Sequence, residues 1–151
     1  MNKEVKQLWI DALESGEYEQ GVGTLRKKGP DGKSTYCCLG VLCEVAIKAG
    51  VPVKTRLVTA GEDMFEDEPK WFETTYDHSS GFLPESVREW AGLETEDGKF
   101  AKGYYEDDEL DARITYPGAY GGENMAANLV TLNDDARYNF KQIAQVIRER
   151  F

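Results

Sequence analysis

Thr35-Tyr-Cys-Cys-Leu-Gly-Val-Leu-Cys-Glu-Val-Ala-Ile-Lys-Ala-Gly50 holds all three cysteines of the 151-residue chain and its longest apolar run. Cys38, Leu42, Val45, Ala46 and Ala49 fall on one helical face, Leu39 and Val41 widen it, and Gly50 followed by Pro52 stops the helix. A helix that is apolar on most sides belongs at the centre of a fold. The remaining elements are therefore expected to pack around residues 37 to 50.

On the N-terminal side, Val5, Leu8, Trp9, Ala12 and Leu13 repeat at helical spacing and Gly16 ends the pattern, which predicts a helix from Asn2 to Ser15. Gly21 to Tyr36 reads as two short strands around Gly29-Pro-Asp-Gly32, where proline sets φ and glycine permits a positive φ. A β-hairpin thus runs straight into the cysteine helix. On the C-terminal side, Val51–Thr59 and Lys70–Tyr76 alternate as strands do, and Leu83–Gly92 has proline and glutamate at the start and glycine at the end of a short helix. Residues 94–122 are weakly patterned, with room for one strand pair. Met125, Leu129 and Leu132 predict one helix, and Asn139 with Gln142 forms a capping box opening another, with Phe140, Ile143, Ala144 and Ile147 on one face. The expected fold is α+β, one domain over residues 1–151. A central buried helix and the N- and C-terminal helices pack on a small antiparallel sheet, with an acidic, loop-rich middle at 61–122. The last helix offers an amphipathic face for a homo-oligomer.

The net charge of −10 is unevenly spread. Residues 1–60 hold nine Lys/Arg against seven Asp/Glu, 61–112 hold four against seventeen, and 113–151 hold five against four. Runs such as Glu62 to Glu68 and Glu106 to Asp111 carry the excess, and the sign argues against a broad nucleic-acid face. The apolar run around Val41 is broken by Gly40, Glu44 and Lys48, too short for a bilayer, and the N-terminus lacks a signal-peptide pattern. A cytoplasmic protein is expected, with no membrane partner and with reduced cysteines.

The residues bring three chemistries into question. A cysteine opening a helix is how several hydrolases present a nucleophile, and Cys-Cys-Leu-Gly-Val-Leu is a little like the Cys-x-Gly helix start of papain-like cell-wall peptidases. Such a use of Cys37 or Cys38 needs a histidine, and the one present, His78 in Tyr-Asp-His-Ser-Ser-Gly, lacks the apolar strand that should follow it. Burial of the cysteines as small core residues is the favoured reading. Metal binding fails on spacing: adjacent cysteines on a helix point about 100° apart, and the acidic runs lack a calcium-loop pattern. No metal or cofactor is expected, and Gly21-Val-Gly alone matches neither dinucleotide nor phosphate-loop spacing. Leu132 to Ile147 looks like half of a helix-turn-helix without room for a recognition helix, whereas an acidic DNA mimic fits the −13 middle as an alternative function.

Binding remains. Arg26, Lys27, Lys28 and Lys33 form the densest basic cluster, beside Gly21 and Gly23, and Tyr116-Pro-Gly-Ala-Tyr-Gly-Gly122 offers aromatic faces on a flexible loop. Phosphate donors and stacking rings together suit a small anionic, base-bearing ligand. The candidate ligand site comprises Gly21, Gly23, Arg26, Lys27, Tyr36, Arg113, Tyr116 and Tyr120, with no catalytic residue assigned.

Trp9-Ile-Asp-Ala-Leu-Glu-Ser-Gly-Glu-Tyr18 with Gln20, Tyr36 to Cys43, Leu83-Pro with Trp90 and Gly92-Leu, and Leu132-Asn-Asp followed by Phe140-Lys-Gln-Ile-Ala144 carry a wider likeness. In this combination the chain resembles small uncharacterised proteins common in bacteriophage genomes. The resemblance implies viral origin and an accessory role, supplies no catalytic residues, and suggests action against host defence by trapping a nucleotide signal or blocking a host protein.

Overall fold

The computed structural model describes residues 1–60, 70–101 and 112–151. Its helix α2, Cys38–Lys48, is buried along most of its length, with Cys38, Leu39, Val41, Leu42, Cys43 and Ala46 fully enclosed. Gly40 explains how the helix gets there. A Cβ at this position would stand 1.7 Å from the carbonyl oxygen of Leu25, so only glycine lets the first turn lie against the hairpin backbone. Gly50, with φ +89, then ends α2.

Helix α1, Lys3–Glu14, starts where Asn2 Oδ1 accepts from the amides of Glu4 and Val5. It buries Val5, Trp9, Ile10 and Leu13, and the Trp9 indole donates to the Cys38 carbonyl at 2.9 Å. Helix α5, Phe140–Arg150, opens with the reciprocal Asn139–Gln142 capping box and buries Phe140, Ile143, Ala144, Val146 and Ile147. It packs against α1, and Arg148 pairs with Glu14 at 2.6 Å. The apolar face that offered itself for an oligomer is thus spent inside the chain. Each fully buried Leu, Ile or Val contributes roughly 1.5–3 kcal/mol, so these helices carry most of the stability.

The strands are β1 (Glu19–Gln20), β2 (Arg26–Lys28), β3 (Ser34–Tyr36), β4 (Thr55–Thr59) and β5 (Phe72–Tyr76), in the order β1-β3-β2-β5-β4. The β2–β3 hairpin turns at Gly29–Gly32, as its residues predict, and all pairs are antiparallel except β1 with β3. Strand β4 begins at Thr55 and not at Val51, because the Val51 amide is used to close α2 on the Ala46 carbonyl. Helix α3, Glu85–Ala91, follows β5 and ends at Gly92, φ +65.

A second, two-stranded sheet pairs β6 (Ile114–Pro117) with β7 (Glu123–Ala126); only β6 falls within residues 94–122, where a strand pair was expected. Met125 corrects the sequence reading. It lies in β7, 47% exposed, and the next helix, α4, spans only Leu129–Asp134, because Asn128 stays extended and caps it through the Thr131 amide. The acidic runs Glu62–Glu68 and Glu106–Asp111, on which the solvated-loop and DNA-mimic readings depend, lie outside the described residues. All five described helices share one hydrophobic core with Leu25 and Tyr76 from the sheet, so the chain is a single α+β domain.

Candidate functional site

The adjacent cysteines are structural in different ways. Cys37 Sγ caps α2 by accepting from the Gly40 amide at 3.4 Å, while the Cys38 thiol faces the Leu129 carbonyl on α4 at 3.7 Å. Burial pushes the Cys37 thiol up to about 11 and holds Cys38 and Cys43 well above the ordinary thiol range. A nucleophilic cysteine needs the opposite shift. His78 is exposed, in the turn after β5 with φ +75, and the hydrogen bonds of the two thiols go to Gly40 and Leu129 instead.

The helix N-terminus is equally unavailable to an anion. The Cys38 amide donates to Asn133 Oδ1, a buried side chain whose Nδ2 donates to the Gly21 carbonyl and to Asp134. Gln20 Nε2 donates to the same Asn133 oxygen and to the Tyr138 carbonyl, and its Oε1 accepts from the Phe140 amide. The Gly23 amide donates to Asp134 Oδ2 at 3.1 Å. Gly21 and Gly23 therefore serve a polar hub that joins β1, α2, α4 and α5. Their amides are not held open for phosphate: that of Gly21 is bonded to the Tyr36 carbonyl.

Alternation along β2 separates Arg26 from Lys27. Arg26 turns toward α2, where it pairs with Glu44 at 3.3 Å, donates to Ser34 Oγ and lies over the Tyr36 ring. The same Glu44 oxygen accepts from the Tyr76 hydroxyl at 2.5 Å. Burial, then that hydrogen bond, raises the Tyr76 pKa, so the phenol stays a donor. Tyr18 meets Tyr36 edge to face at 5.1 Å and carries the Lys48 ammonium over its own ring, while Lys48 also pairs with Glu17. This strip brings Arg26 and Tyr36 together as the sequence suggests, but with the guanidinium charge already matched by a carboxylate.

Lys27 points to the other face, over the Trp71 ring at 4.8 Å. Trp71 immediately precedes β5, also backs onto Gly29, and is 45% exposed. On that face Lys27 stands opposite Glu73 in register, and Glu73 opposite Val58 of β4. On the α2-facing side Leu57 is 48% exposed near the free end of the sheet. The outer half of the sheet thus presents large apolar groups among cations.

Arg113, Tyr116 and Tyr120 lie elsewhere, on or beside the β6–β7 hairpin. Arg113 and Tyr116 are buried, and Tyr120 is fully exposed at the turn. The hairpin enters the N-terminal end of α4, whereas Gly21 and Gly23 meet its C-terminal end, about 9 Å away over six residues. Neither tyrosine makes a hydrogen bond or ring contact with Arg26, Lys27 or Tyr36. Sequence reasoning passed over Trp71, Glu44, Tyr76 and Asn133. A tryptophan beside a lysine at a strand start was the available signal for the first; the others act through pairings that link distant segments.

Among the described residues, no group of three or more His, Cys, Asp or Glu side chains could hold a metal ion. Nor is any helix among them long and apolar enough to cross a membrane. Comparison with curated proteins and with solved structures returns no match. The chain does match, over residues 1–151, the model of the family described as Domain of unknown function (DUF8296), and it belongs to that family.

Proposed function

We propose that this DUF8296 protein is a non-enzymatic phage accessory protein that works by binding a host protein through the outer half of its five-stranded sheet. The observation that carries the reading is Trp71: a large aromatic side chain, braced by Lys27 and Gly29, left 45% exposed at a sheet surface. Exposed tryptophan held in one position is the residue type that dominates binding energy at protein interfaces. The buried thiols support an activity that does not use them as nucleophiles. Of the two binding partners considered, a protein is favoured over a small anion, because Arg26 is neutralised by Glu44 and the Gly21 and Gly23 amides are engaged. The likeness to small phage proteins supports counter-defence as the setting.

The test is site-specific photo-crosslinking in bacterial cells, with the reactive side chain at Thr75, on the face of β5 that Trp71 flanks, or at exposed Gln145 on α5 as control. A discrete protein adduct from Thr75 alone, lost in Trp71→Ala, is expected. Equal adducts from both positions, or calorimetric binding of a nucleotide that Arg26→Ala abolishes, would overturn the reading.

A further inference from the structure

We propose that β4 is a docking edge, at which an extended acidic segment of a partner protein adds as a further strand of the five-stranded sheet. The proposal rests on the protein-binding reading above and specifies how the partner is held. Among the described residues, strand β4 pairs with β5 alone, in unbroken register from Thr55 opposite Tyr76 to Thr59 opposite Phe72. Two bonds beyond its ends set the phase of the ladder: Asp77 donates to the Lys54 carbonyl and Ala60 donates to the Trp71 carbonyl, both 2.8 Å. Residues 54, 56, 58 and 60 therefore turn their backbone groups toward β5, and Thr55, Leu57 and Thr59 turn theirs outward.

No hydrogen bond to another described residue occupies those outward groups, and Thr55, Leu57 and Thr59 are exposed. Proteins ordinarily shorten, bulge or cover such an edge, because a row of free donors and acceptors is a template for another strand. Here it runs five residues and carries Leu57 at its centre.

Charge selects the occupant. Lys54 and Arg56 lie along the edge, and Lys27 and Lys28 stand on β2, one strand beyond β5, in a chain whose net charge is −10. This sheet is where an acidic segment meets cations, while a second copy of the chain brings its own −10. If the alternate apolar residues of the added strand lie on the face of Leu57, its acidic residues fall on the other face, that of Lys54 and Arg56.

The experiment titrates the isotope-labelled chain with three synthetic peptides followed by amide NMR and hydrogen exchange. One alternates Glu and Val, one alternates Lys and Val, and one is the Glu-Val peptide N-methylated at alternate residues. The expected result is protection of the Thr55, Leu57 and Thr59 amides by the Glu-Val peptide, with at least tenfold weaker binding of the other two. Leu57→Pro should reproduce that loss without unfolding, since the N–H it removes faces outward; the N-methylated peptide makes the same test on unmodified protein. Equal binding of the Lys-Val peptide, shifts without protection of these amides, or self-association through β4 would overturn the proposal. Trp71-dependent crosslinks persisting in Leu57→Pro would reject strand addition while leaving the protein-binding reading intact, whereas the absence of a Thr75 adduct in the otherwise unsubstituted chain would reject both.

Discussion

At the start of α2 the amides of Cys38 and Gly40 find partners within the chain, and the thiols, the Trp9 indole and Asn133 are enclosed. Along β4 and β5 the reverse holds: outward backbone groups, Leu57 and Trp71 face solvent, with Lys27 and Arg56 among them. Both regions belong to one domain, yet a cysteine-rich apolar segment that looks reactive turns out to be scaffold. A plain polar sheet carries the exposed groups on which the proposed binding rests. A group that must meet a partner molecule has to be left unsatisfied within its own chain.

The contrast breaks most readily at Gly40. Gly40→Ala would drive a methyl into the Leu25 carbonyl, where neither helix nor hairpin backbone can yield cheaply. A loss of about 3 kcal/mol or more is expected from overpacking, measured by chemical denaturation. A change below about 1 kcal/mol would mean that α2 and the hairpin separate easily, and the scaffold reading would fall.

Alkaline pH probes the same region by titration. The Cys37 thiol sits at about 11 in the folded chain against 9.0 for an ordinary thiol, because burial disfavours the thiolate. The unfolded chain therefore loses its proton first, so the stabilising contribution is complete below pH 9 and drains away as pH rises toward 11. For Cys37 alone that is about 3 kcal/mol, with Cys38 and Cys43 adding in the same direction. Stability curves from pH 8 to 11 should fall, and thiol-reactive probes at neutral pH should label at the rate of opening. Rapid labelling of one cysteine in the native state would contradict the burial argument.

Trp71→Ala sharpens the other side of the comparison with the smallest effect on folding. Its ring touches Lys27 and Gly29 at the surface, so truncation should cost about 1 kcal/mol or less, read as a shift in denaturation midpoint. A loss near that of Gly40→Ala would make Trp71 a core residue, and the contrast between the regions would disappear.

Much of the fold was legible along the chain because its signals are local. The helical period of residues 3–14, the Asn139–Gln142 capping box, the Gly29–Gly32 turn and the Gly50 stop each act over a few residues, and each element formed where its pattern placed it. The reading slipped at Met125, where apolar spacing continued across a boundary that Asn128 sets through a backbone conformation. The candidate site was less legible. Arg26 and Tyr36 are neighbours by strand register, but Lys27 falls on the opposite face, and Arg113, Tyr116 and Tyr120 belong to a different sheet.

By itself, then, the sequence determined where α1, α2, α5 and the β2–β3 hairpin form, that one apolar helix lies at the centre, and that acidity is concentrated between residues 61 and 112. Only the tertiary structure decided what the chemistry-bearing residues are free to do. Glu44 neutralises Arg26 from 18 residues away, and Asn133 takes up the α2 N-terminus from 95 residues away. Strand order placed β4 at the edge of the sheet among the described residues. Such pairings are set by how the packed elements are brought together in three dimensions, and no short window of sequence contains them.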